Sequence, residues 1–409
     1  MYDVYELRKQ FPMLQGKTMQ NKPLVYMDNA STTFKPQCVI DAINKYYTEM
    51  TANSHRGDYD LLYKMDLEVA KARKTVAKFV NCDENEVIFT SGDTMSLNLV
   101  AHGYGRANLK AGDEILLDVA EHASNILPWY QIAHETGAVV KFIPLDEEGR
   151  ITVEGLEKVI TNKTKIVSIA VVTNVLGHTC DIAKIAAKAH SFGAIVIADA
   201  AQSAAHKVTN FKEIDVDFLT FSGHKMCGPT GIGCLIGKYD LLQAMDPFIV
   251  GGGNNITFSD DLNVELLDAP YKYEAGTLNL AGIMGLKAAI EFLTEIGMEN
   301  IEKHEQELFD YAISKLEKHD DVIIYNKTAR GGIITFNKKD VFAQDEATLL
   351  NSHGIAVRSG QHCAKILDRY LKTNATVRAS FFLYTTKEEV DQLIEAIING
   401  GDILDAYFN

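Results

Sequence analysis

Cysteine is scarce and shows no pairing pattern. Six fall among 409 residues, at positions 38, 82, 180, 227, 234 and 363, with no Cys-x-x-Cys. This argues against a disulfide framework and a structural zinc site, and fits a reduced compartment. No apolar run approaches the roughly 20 residues of a membrane-spanning helix. No block of lysine and arginine with interleaved aromatics occurs, and the net charge is −15, so neither a membrane nor a nucleic acid is expected as partner. Gly-x-Gly-x-x-Gly and Gly-x-x-x-x-Gly-Lys-[Ser/Thr] are both missing, which removes the common nucleotide fingerprints. Repeats, low-complexity tracts and Pro/Ser-rich linkers are missing too. The opening run Met1-Tyr2-Asp3-Val4-Tyr5-Glu6 is polar and acidic, unlike a signal or transit peptide, so a cytoplasmic location is expected.

What remains is ordinary globular material, 46% hydrophobic and 23% charged, with enough chain for two or three domains. Helical periodicity over Glu68–Phe79 precedes a short strand at Val87–Thr90 and a helix over Thr94–Tyr104. Glu114–Asp118, Val139–Leu145, Lys165–Val172 and Ala194–Ala200 read as buried strands with helices between them. Such alternation predicts an α/β fold with a mostly parallel sheet. The pattern then changes. A helix over Asn300–Glu317, strands at Val322–Tyr325 and Gly332–Phe336, a further helix and strand pair, and a closing helix over Lys387–Ile398 predict a smaller α+β C-terminal domain. The expected division is 1–20 as an N-terminal segment packing on either domain, 21–285 as a large domain and 286–409 as a small one.

Candidate chemistry sits where strands end. Phe218-Leu219-Thr220-Phe221-Ser222-Gly223-His224-Lys225 puts a primary amine at the carboxyl end of an apolar run, before the glycine turn 228–233. Open α/β sheets place ligands there, and such an amine suits a Schiff base with a phosphorylated aldehyde such as pyridoxal phosphate. The same run is equally compatible with a lysine snorkelling into water. Ser91-Gly92-Asp93-Thr94 joins a strand to a helix and could cradle phosphate, or simply cap the helix. Asp199 ends a strand and could hold a pyridine nitrogen protonated, or cap the segment that follows. His122, after another strand, could stack on an aromatic cofactor and move protons, or be a plain surface or core histidine. Cys363 lies in the polar run 358–364, after the strand Ile355–Val357, where a thiolate can be stabilised; a lone cysteine is otherwise a small hydrophobe. Arg378, fifteen positions on, could clamp a carboxylate.

Together these stations resemble the class V, fold-type I pyridoxal-phosphate enzymes, and more narrowly the Suf-type (group II) cysteine desulfurases, close to the selenocysteine lyases. The resemblance runs from Leu24-Val25-Tyr26-Met27-Asp28-Asn29-Ala30 to the last helix. It includes Asn53-Ser54-His55-Arg56-Gly57, Thr173-Asn174-Val175-Leu176-Gly177, Tyr273-Glu274-Ala275-Gly276-Thr277 and Arg358-Ser359-Gly360-Gln361-His362-Cys363-Ala364. It implies that Lys225 holds the cofactor and takes the substrate Cα proton, that His122 stacks on the ring, and that Asp199 pairs with its nitrogen. Gln202 and Asn174 would stand near the ring oxygen and the substrate. Thr94, Ser222 and His224 would bind phosphate, with Thr277 supplied by the neighbouring subunit of a homodimer with shared sites. Ala30, Asn174 and Arg378 would contact L-cysteine. Cys363 would take its sulfur as a persulfide, leaving alanine, and pass it to an acceptor protein for iron–sulfur assembly or another sulfur-transfer pathway. The short span to Arg378 resembles the group II enzymes and implies an ordered cysteine loop. No metal is implied.

The chain departs from the family pattern in places. Asp93 stands where the family usually has threonine. A carboxylate facing phosphate would repel it, so Asp93 is expected to turn away and cap the helix. Met95 replaces a usual glutamate, and Lys272 an arginine. Val341-Phe342-Ala343-Gln344-Asp345 lacks the histidine carried by relatives that use a zinc-bearing acceptor. Rival readings are a selenocysteine lyase, a class V aminotransferase, and a catalytically silent partner or scaffold.

Overall fold

The computed structural model describes residues 2–54 and 57–401. His55 and Arg56 of the Asn53–Gly57 motif therefore lie outside the described residues, as does the chain after 401. The centre is a seven-stranded sheet built from Val87–Thr90 (β1), Glu114–Asp118 (β2), Val139–Ile143 (β3), Thr164–Ala170 (β4), Ile195–Asp199 (β5), Phe218–Ser222 (β6) and Gly233–Gly237 (β7). The spatial order is β1-β7-β6-β5-β4-β2-β3. Only β7 runs against its neighbours. Side chains of β2, β5 and β6 are apolar on both faces, because helices cover the sheet on both sides. β3 was read as buried, but it is the edge strand, and Val139 is 46% exposed. Edge position is decided by the partner order, which a local apolar run does not encode.

Gly233 permits the close approach that shapes the site. A Cβ there would meet the Phe221 carbonyl oxygen at 2.5 Å and the Gly92 Cα at 2.6 Å. The antiparallel strand β7 is thereby clamped against the turn that follows β1. That turn opens the helix Asp93–Val100 (α1), which passes into a wider turn over Ala101–Gly105.

The hairpin Asn255–Phe258 (β8) and Val264–Leu266 (β9) precedes the helices Leu280–Ile296 (α2) and Met298–Leu316 (α3). A second, antiparallel sheet follows, ordered Val322–Ile324 (β10), Ile333–Lys338 (β11), Thr376–Ser380, Arg358–Gly360. Arg358–Gly360 (β12) was expected as loop. It pairs with Thr376–Ser380 (β13) and places Arg358 opposite Arg378. Helices Ala343–Ser352 (α4) and Lys387–Asn399 (α5) cover this sheet.

The large sheet is packed between two apolar clusters, one of them around Trp129, Ile115 and Phe218, and the second sheet has its own; the first cluster of the large sheet and that of the second sheet change over within α3. Met298 and Ile301 belong to the first, and Leu308 to Leu316 to the second. Val25 and Met27 join the second cluster, because Val25–Tyr26 pairs in parallel with Ile355–Ala356. The N-terminal helix bridges both parts. Leu7 and Phe11 enter the first cluster, while Arg8 makes a two-pronged contact with Glu389 of α5 at 2.8 and 2.9 Å.

Candidate active site

A cleft of about 190 Å³ opens at the carboxyl ends of the parallel strands, where the second sheet leans over the first. This is where open α/β sheets bind ligands. Asp199 ends β5 and is buried, and one of its oxygens accepts the Ala201 N–H at 2.8 Å. Burial raises its carboxyl, against the pull of that N–H and of Lys225. Lys225 ends the short helical turn after β6. Burial lowers its ammonium, opposed by Asp199 and Asp93, while Arg378 and Arg358 lower it further. An amine so placed is readily obtained as the neutral base.

His122 faces Lys225 in the same cleft. Its Nδ1 accepts the Ser124 N–H at 3.1 Å, so the neutral ring carries its proton on Nε2. Burial and the Lys225 charge hold it down to about 4, so it is neutral at physiological pH. The wall beside α1 is polar. The Ser222 hydroxyl accepts the Asp93 N–H at 2.7 Å, and the Thr94 and Ser124 hydroxyls lie 2.7 Å apart. His224 lines the same wall, and burial lowers it to about 4. Gln202 donates to the Ala30 carbonyl at 2.7 Å, joining the N-terminal segment to the floor.

Asp93 differs from expectation. It does not turn away to cap α1. Gly92 holds the N-cap position without a side-chain hydrogen bond, and the Asp93 carboxyl lies buried in the cleft.

The second sheet supplies the opposite wall. Arg378 is the third residue of β13. Its Nη1 donates to the Asn174 carbonyl at 2.7 Å and its Nη2 to Ser31 Oγ at 2.9 Å, with Asp28 at 3.4 Å. Its Nε is buried without a partner, as is Asn174 Oδ1. Burial lowers the guanidinium to about 10, still charged at neutral pH. Cys363 is exposed to the cleft and adopts a left-handed backbone (φ 59°), as does His362 (φ 49°). Consecutive non-glycine residues in this region persist only where surroundings hold them. Here Ala123 N–H donates to the Cys363 carbonyl at 2.8 Å, and the Asn174 amide to the His362 carbonyl at 2.7 Å.

The cleft thus gathers every site residue expected from the sequence except Thr277, which is exposed outside it. It adds Arg358, Ser31 and Ser124, none of which had been picked out as a site residue. Arg358 opens a motif already noted and Ser31 directly follows another, and their mutual contact at 2.9 Å spans 327 positions.

A family profile described as Aminotransferase class-V matches residues 25–393. The chain belongs to the class-V aminotransferase family. It is 45% identical over 396 residues to a probable cysteine desulfurase of Halalkalibacterium halodurans, covering 97% of each chain. A probable cysteine desulfurase of Staphylococcus aureus (strain Mu50) is 44% identical, over 97% of this chain and 96% of that one. Among solved structures, the cysteine desulfurase CsdA (S-sulfonic acid) from Escherichia coli superposes with TM-score 0.91 at 37% identity, covering 98% of both chains. The apo cysteine desulfurase of Thermococcus onnurineus NA1 gives the same TM-score at 35% identity, over 97% of this chain and 98% of that one. The fold is that of this class-V group, an α/β fold-type I architecture.

The residues present fit pyridoxal phosphate. Lys225 offers an amine beside a carboxylate, His122 a neutral ring, and Ser222, Thr94 and His224 a polar wall at the start of a helix. The unpartnered Arg378 Nε–H is a donor that a ligand carboxylate would satisfy, and the unpartnered Asn174 Oδ1 an acceptor that a ligand N–H or O–H would satisfy.

Proposed function

We propose that this protein is a pyridoxal-phosphate-dependent cysteine desulfurase that converts L-cysteine to L-alanine and carries the sulfur on Cys363. The observation that carries the reading is the seating of Cys363. Ala123 holds its carbonyl and Asn174 that of His362 before it, and the cysteine lines the cleft that contains Lys225. Bound pyridoxal phosphate supplies an electron sink for the substrate's α-carbon. Lys225, Asp199 and His122 hold the cofactor, with Thr94, Ser222 and His224 at its phosphate and Gln202 at its ring oxygen. Arg378 and Asn174 orient the substrate carboxylate, with Ala30 beside it. Lys225 Nζ removes the α-proton and returns it. Cys363 Sγ, as the thiolate, then bonds to the substrate sulfur; the carbon–sulfur pair goes to the β-carbon, which takes up a proton and leaves in alanine, and the outer sulfur of the persulfide passes to an acceptor protein.

The protein acts as a homodimer with shared sites. The hairpin β8–β9 exposes Ile256, Phe258, Leu262 and Val264, with Phe258 at 73% and Leu262 at 89%. Contiguous exposed apolar side chains of this kind mark an interaction surface. Thr277 lies in the adjoining segment, tied to the stretch before the hairpin by the Gly276 N–H on the Gly252 carbonyl at 2.7 Å. The division remains a large domain over 21–285 and a small one over 286–409; the apolar clusters change over later, between Ile301 and Leu308, and Val25 and Met27 belong to the core of the small domain. No helix among the described residues is long and apolar enough to cross a membrane, and a cytoplasmic location accords with the unpaired cysteines. The test is alanine production from L-cysteine by the cofactor-loaded protein beside Cys363→Ala. Alanine from the wild type alone is expected; equal production by both proteins removes Cys363 as the sulfur carrier.

A further inference from the structure

Asp93 is an ionisable side chain of the cleft to which the reading above gives no role. A carboxyl at the first residue of a helix ordinarily caps it or faces water. Asp93 does neither. It is 6% exposed, Gly92 takes the cap position, and Asp93 Oδ1 is buried without a partner. Its backbone N–H is held by Ser222, and Gly233 presses on Gly92 from behind. These contacts fix the backbone from which the carboxyl enters the cleft.

Asp199 faces it from the end of β5, Lys225 from the turn after β6, and Thr220 from β6 itself. Asp118 and Glu121 lie behind Asp199. His122 and His224 are neutral near pH 7, and Arg358, Arg378 and Cys363 belong to the far wall. Two ionised carboxylates, Asp93 and Asp199, would thus face one lysine where a phosphorylated cofactor must also place its own negative charge. Like charges crowded in a buried site are relieved by keeping a proton on one of them.

We propose, building on the reading above, that Asp93 is a proton-gated determinant of cofactor retention: it keeps a proton beside Asp199, and losing that proton to solvent drives pyridoxal phosphate out of the turn that Asp93 begins. Burial and the neighbouring Asp199 push this carboxyl up to about 8, against Thr220 and Lys225. A bound anion raises it further. Below that pH the acid is neutral both with and without cofactor, so affinity is unaffected. Above it, binding must take up a proton, and the dissociation constant climbs by up to about tenfold per pH unit.

The test is equilibrium dialysis of pyridoxal phosphate against the full-length protein from about pH 6.5 to about pH 9.5, for wild type, Asp93→Asn and Asp93→Thr. Titration of the cofactor is common to all three and cancels in the ratios; Lys225 feels the Asp93 charge only where that carboxyl is ionised, so its response is part of the gated effect. The expected result is a wild-type-to-variant ratio of dissociation constants that is flat below about pH 7 and rises roughly fivefold between about pH 8 and about pH 9. If Asp93→Asn fails to fold, Asp93→Thr carries the same comparison. Parallel profiles for wild type and variants overturn the proposal while leaving the desulfurase reading intact. A wild type that takes up no pyridoxal phosphate at any pH overturns both.

Discussion

Replacing Glu274 by alanine tests whether the segment before Thr277 is anchored to the phosphate turn. Glu274 and Arg73 are 7% and 4% exposed and meet in a two-pronged pair, at 3.0 and 2.7 Å. The same carboxylate accepts the Phe89 N–H of β1 at 2.9 Å, and Arg73 lies 4.8 Å above the Phe89 ring. Removing Glu274 leaves a buried guanidinium uncompensated, and one-sided removal of such a partner costs about 3–5 kcal/mol. The Phe89 N–H loses its acceptor as well, which adds roughly 1–3 kcal/mol if water does not replace it. These terms overlap, so about 4 kcal/mol is the working figure. The double variant Arg73→Met/Glu274→Met removes both charges and should recover most of that loss, because apolar replacement of a buried pair is often neutral. The assay is urea unfolding at fixed protein and cofactor concentration, followed by circular dichroism and by Trp129 fluorescence, accepted only where the two transitions coincide. A loss below about 1 kcal/mol for Glu274→Ala, or a double variant no better than the single one, would refute the reasoning.

Arg378→Lys keeps a charge but cannot reach Asn174, Ser31 and a substrate carboxylate together. The KM for cysteine should rise roughly ten- to a hundredfold, read from initial rates of alanine formation, and an unchanged KM would remove Arg378 as the carboxylate clamp. Glu346 in α4 is buried with both oxygens unpartnered, and burial raises its carboxyl to about 7. A raised folded-state pKa favours folding fully below the unfolded value and loses that contribution as pH rises through about 7. Glu346→Gln should therefore stabilise the protein above pH 7, by at most about 3 kcal/mol, and do little near pH 4; equal stability curves at high pH would contradict this. Phe258→Asp puts a charge on the exposed hairpin and should shift sedimentation equilibrium towards monomer, whereas a wild type already monomeric would discard the dimer.

The residues at strand ends were legible because their signal is local. An apolar run that terminates in Asp199, or in Ser-Gly-His-Lys at 222–225, marks both the strand and its polar end. The edge status of β3 and the pairing of Arg358–Gly360 were not legible, since both depend on which distant strand lies alongside. Asp93 was misjudged because helix-start chemistry favours a cap, and only the contact of Gly233 with Gly92 shows that the turn cannot open outward. Arg73 and Glu274 are 201 positions apart and fall in no common pattern, so only the fold reveals the pair. Val25 and Met27 lie next to residues of the large sheet's side of the chain but contribute to the other core, through parallel pairing with Ile355–Ala356.

Asn174 shows why the cleft has to be considered as a seam between two halves. Its side-chain amide donates to the His362 carbonyl, its backbone carbonyl receives Arg378, and its Oδ1 stays free. One residue on the segment after β4 therefore positions both the cysteine loop and the guanidinium. The Ala123 N–H adds a second fixed point for the same loop, immediately after His122. The loop is tied to the second sheet as well, where His362 Nε2 meets the Thr376 carbonyl and hydroxyl at 3.1 and 3.0 Å, so its seating joins the two halves. That geometry favours direct capture of sulfur over a long excursion of the loop, and it makes the free Asn174 Oδ1 sensitive to whatever occupies the cleft. A ligand group that donates to this atom would therefore bear on the residue that also holds the His362 carbonyl and Arg378.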